Sequence, residues 1–171
     1  MNKLILLDGT YGVGKSTVAH CICKINDSYV CVDPDEYYNN YGKRYFKYGG
    51  PASNNSALRT DIQKIVKEII LNRNVIIPVT LFNQELMDTW MELFSDIAEV
   101  KHFVLYADKK TIEDRINHDE GRDKGFALDS LDNNVRYYHN ITIDSPKINT
   151  SDLTPEETAK RILELVKLSF F

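Results

Sequence analysis

Residues 9 to 16 read Gly-Thr-Tyr-Gly-Val-Gly-Lys-Ser, which satisfies the spacing GxxxxGK[ST]. Glycines let a backbone curl until several N–H groups face one anion. A helix that begins near Lys15 would add the positive end of its dipole. The pattern therefore points to a bound nucleoside triphosphate. Gly9, Tyr11, Gly12, Val13, Gly14, Lys15, Ser16 and Thr17 form the expected nucleotide-binding set. Lys15 would meet the β- and γ-phosphates, the Ser16 hydroxyl would ligate Mg2+, and Thr17 would bond near the α-phosphate.

A second group follows at Asp33-Pro34-Asp35. Moving a phosphoryl group to a hydroxyl requires a carboxylate that orients the hydroxyl and accepts its proton. A further carboxylate beside magnesium helps. Asp35 is assigned the first role and Asp33 the second, with the reverse assignment left open. Beyond them lie Tyr37, Tyr38, Tyr41, Tyr45, Phe46 and Tyr48, interleaved with Lys43, Arg44 and Lys47. Rings stack on sugars and bases, and cations hold anions. Tyr37, Tyr41, Arg44 and Arg59 are therefore candidates for binding an acceptor; packing of the rings against the core is the competing reading. Arg115, Arg122 and Lys124 bracket a stretch with Gly121 and Gly125. Arginines on a hinged lid, about residues 118–126, would take up transition-state charge, with Arg122 counted as catalytic beside Lys15 and Asp35. Asp108 ends an apolar run as a magnesium-binding aspartate would, but Lys109 follows it, and a helix cap explains it better.

Composition narrows the partners. The net charge is −4, so no global basic field exists to hold nucleic acid, and a polynucleotide substrate is disfavoured. The first apolar run, Leu4 to Leu7, is too short for a signal peptide or a membrane span. The three cysteines form no CxxC pair and read as free thiols of a reducing cytoplasm. With 171 residues and 43% hydrophobic content, one domain with one core is expected over residues 1–171.

The elements that must position these groups alternate along the chain. Strands are predicted at Lys3 to Asp8, Tyr29 to Asp33, Val75 to Val79, Val100 to Tyr106 and Ile141 to Ile143. Helices are predicted after the glycine loop, around Ile62 to Ile70 with Thr60 and Gln63 as a capping box, around Leu86 to Ile97, after Asp108, and around Leu131 to Tyr138. The last helix has the clearest start, with Thr154 as N-cap, Pro155 at the first helical position and Glu157 in the capping-box place. Such alternation implies a parallel sheet covered on both faces, with its site at the carboxyl ends of the strands. The glycine loop, the Asp33/Asp35 pair and Thr80 all fall at such ends.

Taken together, the loop, the DxD after the second strand, the Arg115/Arg122 segment and the Thr154-Pro-Glu-Glu ending resemble the shikimate-kinase-like P-loop kinases. Val75-Ile-Ile-Pro-Val-Thr-Leu81 is most similar to the tunicamycin-resistance protein and AAA-family ATPase subgroup. The resemblance implies an α/β fold: a three-layer α/β/α P-loop NTPase with a five-stranded parallel sheet in order 2-3-1-4-5 and a small lid. It also implies ATP as donor with Mg2+ as cofactor, Arg115 near the adenine or phosphates, Arg122 as the lid arginine, and Asp144-Ser145 as an adenine-side loop. The aromatic run departs from shikimate kinases, and no shikimate-binding arginine set is present.

The expected function is thus transfer of the γ-phosphoryl group to a hydroxyl of a small molecule, with a nucleoside-like compound or an antibiotic favoured. The expected partners are ATP and that acceptor, with no membrane, and the chain is expected as a monomer or homodimer. A nucleoside or nucleotide kinase is one alternative, and a nucleotide-binding ATPase or switch protein is another.

Overall fold

The computed structural model describes residues 1–40, 52–120 and 124–168. Its centre is β1 (Lys3–Gly9), in which Leu4, Ile5, Leu6 and Leu7 have no solvent exposure. Four consecutive apolar residues in one strand require cover on both faces, and they receive it. β1 pairs in parallel with β3 (Asn74–Val79) on one side and β4 (Glu99–Tyr106) on the other. β2 (Tyr29–Cys31) and β5 (Lys147–Asn149) close the edges, so the order is β2-β3-β1-β4-β5, as the resemblance implied.

Side chains alternate between two cores. Ile5 and Leu7 join Ile76, Phe103 and Leu105 beneath α1 (Lys15–Ile25) and the last helix, α8 (Pro155–Leu168). Leu4 and Leu6 join Val75 and Ile77 beneath α3 (Ser56–Ile69) and α4 (Gln84–Ser95). The remaining helices are α2 (Pro34–Asn40), α5 (Lys109–His118), α6 (Lys124–Asp129) and α7 (Leu131–Asn140), with a 3-10 turn at Ala52–Asn54. Among the described residues no helix is long and apolar enough to cross a membrane.

The capping chemistry explains several boundaries. Asp108 accepts from the Thr111 amide at 2.9 Å and the Thr111 hydroxyl at 2.7 Å, so it is the cap of α5. Those bonds hold its carboxyl well below the usual range. Thr154 and Glu157 form the reciprocal box expected at α8, with the Glu157 amide donating to Thr154 Oγ1 at 3.2 Å and the Thr154 amide to Glu157 Oε2 at 2.8 Å.

Four expectations are corrected. The fifth strand is Lys147–Asn149, not Ile141 to Ile143. Only Ile148 of that strand is buried, so it carries almost no apolar periodicity, whereas Ile141 and Ile143 remain half-exposed after α7. The helix assigned to a Thr60/Gln63 box starts at Ser56, because the buried Asn55 side chain accepts from the Leu58 amide at 3.0 Å. Gln63 instead donates to the Leu93 carbonyl. Finally, β2 stops at Cys31 where a strand to Asp33 was expected, and the residues from Pro34 form a helix that was not predicted. Asp33 caps that helix and Pro34 takes its first position, where a missing N–H costs nothing.

Candidate functional site

The loop between β1 and α1 curls as its glycines allow. Gly12 has φ 77° and Gly14 has φ 101°, both in the left-handed region that side chains disfavour. Gly14 is also the N-cap of α1, so the loop delivers its amides directly into the positive end of that helix. Lys15 Nζ folds over the curl and donates to the carbonyls of Gly9 and Thr10 at 2.9 and 3.0 Å.

Ser16 and Asp33 meet. The Ser16 hydroxyl donates to Asp33 Oδ2 at 2.8 Å, while Asp33 Oδ1 accepts from the Asp35 amide at 2.9 Å. The Asp33 side chain is therefore fixed from both oxygens and buried, with 5% exposure. Asp35, two residues later, is exposed and lines a cavity of about 300 Å3. The same cavity is walled by residues 12–18, Arg115, Asp119, Thr150, Leu153 and Pro155. The Ser16 hydroxyl on the cavity wall and the buried Asp33 carboxylate bonded to it are hard oxygen donors of the kind Mg2+ prefers. No cluster of three or more metal-ligating side chains exists among the described residues, so a cation here would draw its other ligands from phosphate and water.

Arg115 spans the cavity rim. Its Nη1 donates to the Val13 carbonyl and Thr150 Oγ1, both at 3.1 Å, and its Nη2 donates to the Thr150 carbonyl at 2.7 Å. Burial lowers its pKa, with the Asp108 charge opposing. Arg115 thus clamps the phosphate loop to the start of the segment before α8. That segment, and not Asp144-Ser145, faces the cavity, because β5 lies further along the chain than expected. Ser145 Oγ is engaged with His102 Nδ1 at 2.7 Å.

A family model described as an AAA domain matches residues 4–130, well over half of the chain. The chain belongs to this AAA-domain family. No curated protein matches it. Solved structures similar to this AAA-domain chain share its fold. The tunicamycin resistance protein of Deinococcus radiodurans has a TM-score of 0.70 at 20% identity, covering 97% of this chain and 96% of that one. A sugar kinase from a Janibacter species has a TM-score of 0.66 at 17% identity, covering 99% and 96%. Shikimate kinase from Acinetobacter baumannii, in complex with shikimate, has a TM-score of 0.62 at 17% identity, covering 100% and 96%.

Of the residues singled out in the AAA-domain sequence, Gly12 to Thr17, Asp35 and Arg115 are brought together on the cavity, and Asp33 is bonded to Ser16. Gly9 is buried behind the loop. Tyr11 is half-buried outside the cavity wall, edge-on to Phe126 at 5.6 Å, with Lys15 Nζ 5.7 Å from its ring centroid. Tyr37 is partly buried against the core beneath α3. Arg59 Nη1 donates to the Ser53 carbonyl at 3.0 Å, and burial lowers its pKa. Tyr41, Arg44 and Arg122, together with the rest of 41–51 and 121–123, lie outside the described residues.

Three features escaped the sequence reading. Thr150 and Leu153 form cavity wall, and were hidden by the misplaced fifth strand. Ser53, in a short turn, accepts from both Arg59 and Trp90 Nε1 through its carbonyl. Asp8 is a carboxylate with 1% exposure directly after the four apolar residues of β1. An acidic residue directly after Leu4 to Leu7 was the available signal.

Proposed function

We propose that this protein is a kinase that transfers the γ-phosphoryl group of MgATP to a hydroxyl of a small molecule. The observation that carries the reading is a glycine-loop cavity with Ser16 and Asp35 on its wall and the buried Asp33 bonded to Ser16 behind it. The names of the similar folds, a sugar kinase and a shikimate kinase among them, support a small acceptor.

In this reading the loop amides and the α1 N-terminus hold the β- and γ-phosphates. Lys15 leaves the carbonyls of Gly9 and Thr10 and turns its ammonium to the phosphates. Ser16 and Asp33 would hold Mg2+, which would supply neutralisation of charge on the transferring group. Asp35 orients the acceptor hydroxyl and takes its proton. Arg115 with Thr150 and Leu153 borders the nucleobase. Residues about 118–126 act as a lid bearing Arg122, within a single domain of residues 1–171. Tyr37, Tyr41, Arg44 and Arg59 are the proposed acceptor-binding residues.

The test is incubation with labelled ATP and Mg2+ across a panel of nucleosides, sugars and antibiotics. A labelled product is expected with the wild type. Asp35→Asn is expected to abolish it while still binding the non-hydrolysable analogue AMPPNP. Full turnover by Asp35→Asn excludes Asp35 as the base. Hydrolysis without any labelled acceptor, stimulated by a protein partner, would replace the kinase reading with that of a switch.

A further inference from the structure

Behind the phosphate loop a carboxylate is buried where its neighbours in β1 are all apolar. Asp8 Oδ1 accepts from the Gly9 amide at 2.6 Å, the Leu81 amide at 2.9 Å and the Tyr138 hydroxyl at 2.8 Å. His102 Nε2 lies 3.4 Å from Asp8 Oδ2, and the opposite ring nitrogen meets Ser145. The Tyr138 hydroxyl also lies 3.1 Å from the Leu81 carbonyl. Its single proton goes to the closer and charged partner, Asp8.

The elements joined here come from separate parts of the chain: β1, the segment after β3, and α7. Gly9 opens the phosphate loop. Leu81 follows β3, and the carbonyl before it, that of Thr80, accepts from Ser53 Oγ at 2.7 Å. The Ser53 carbonyl in turn receives Arg59 at 3.0 Å. Tyr138 belongs to α7, and with Ser145 it ties the segment from α7 to β5 to the same carboxylate. A hydrogen-bonded chain therefore runs from the phosphate loop through Asp8, Leu81, Thr80 and Ser53 to Arg59.

Stability alone does not account for an ion at this position. An apolar residue of similar volume in β1 would pack without desolvating a charge, and such replacements are commonly neutral or stabilising. What the carboxylate provides is a fixed distance between backbones that apolar contact would leave free to slide. We propose that Asp8 and Tyr138 are positioning residues, which hold residues 80–83, and through Ser53 the Arg59 guanidinium, in register with the phosphate loop. The proposal rests on the kinase reading of this site.

Tyr138→Phe removes one oxygen and keeps the ring. Three quantities are measured: affinity for MgAMPPNP, kcat and KM with the labelled acceptor, and amide hydrogen exchange of residues 80–83 with and without MgAMPPNP. In the wild type the analogue is expected to slow exchange at residues 80–83. In Tyr138→Phe the analogue is expected to bind within about threefold of wild type, since the loop amides are intact. kcat is expected to fall by about tenfold, the order lost with one hydrogen bond to a charged group, and the protection of residues 80–83 is expected to disappear. The proposal is overturned by a kcat within about twofold of wild type with protection retained, or by parallel losses of affinity and kcat that track the unfolded fraction. Should the wild type phosphorylate no acceptor, the kinase reading fails, and exchange at residues 80–83 decides the positioning claim by itself. If Tyr138→Phe does not fold, Asp8→Asn is measured in the same way with the same overturning result, and free exchange at residues 80–83 in nucleotide-bound wild type refutes the claim outright.

Discussion

Asp33 does two jobs that substitution can separate. Its Oδ1 caps α2 through the Asp35 amide, and its Oδ2 holds the Ser16 hydroxyl. Asparagine caps a helix about as well as aspartate, so Asp33→Asn should change stability by under about 0.5 kcal/mol. Alanine removes the cap and leaves the Asp35 amide without its acceptor, a loss of about 1 kcal/mol. In a chain of this size that corresponds to a fall in Tm of about 2–4 °C. Magnesium separates the variants differently. Either substitution removes the carboxylate, and a charged hydrogen-bond partner is worth about 1.5–3 kcal/mol, or roughly tenfold to a hundredfold in affinity. Calorimetric titration of AMPPNP with and without Mg2+ reads this directly. The wild type should bind more tightly with Mg2+, and both variants should lose that gain, while only Asp33→Ala loses thermal stability. An Asp33→Asn protein that keeps the full magnesium effect would refute the assignment of Asp33 to the metal.

Three further outcomes follow from the geometry. Gly12→Ala places a methyl 2.7 Å from Ile116 Cγ1 at φ 77°, whereas the same change at Gly14 meets no atom within 4 Å at φ 101°; both should lose about 1–3 kcal/mol from backbone strain, and chemical denaturation should rank Gly12→Ala as the worse. Asn55→Ala deprives the Leu58 amide of its buried cap and should cost about 1–2 kcal/mol, seen as a lower denaturation midpoint. Burial, then the Asp8 charge, pushes the Tyr138 phenol well above its usual value of 10. Its contribution is therefore intact below pH 10 and is lost as pH rises beyond it. Unfolding at high pH releases one proton from this side chain, a slope of about 1.4 kcal/mol per pH unit; Tyr138→Phe should show a shallower alkaline loss, even though Tyr29 and Tyr137 shift in the same direction. Equal slopes in urea titrations between pH 9 and 11 would contradict this.

The glycine loop was legible because its chemistry is local: eight consecutive residues specify their own curl. The central strands were legible because Leu4 to Leu7 and Val75 to Ile77 are buried on both faces and read as unbroken apolar runs. β5 was not, since one buried isoleucine between a lysine and an asparagine has no period to detect. The start of α3 was missed for a related reason. Asn55 caps the helix through the Leu58 amide three residues on, while the Thr60/Gln63 spacing looked sufficient by itself. Asp33 was recognised as a site residue, but its capping of α2 was not drawn from the adjacent proline. The Asp8 junction joins residues 8, 81, 102 and 138, a conjunction that only the folded chain creates.

Two imino acids, Pro34 and Pro78, lie one residue out of register across the edge of the sheet. The last β2–β3 pair is Cys31 with Ile76, followed by a bond from the Val32 amide to the Ile76 carbonyl. One more rung would need Pro78 to donate to Val32 and Pro34 to donate to Pro78, and neither has a hydrogen to give. The zipper stops there by covalent structure, whatever the packing around it. The outer strand is thereby released before its neighbour β3 ends at Val79, and its next acidic side chain turns to the serine of the loop.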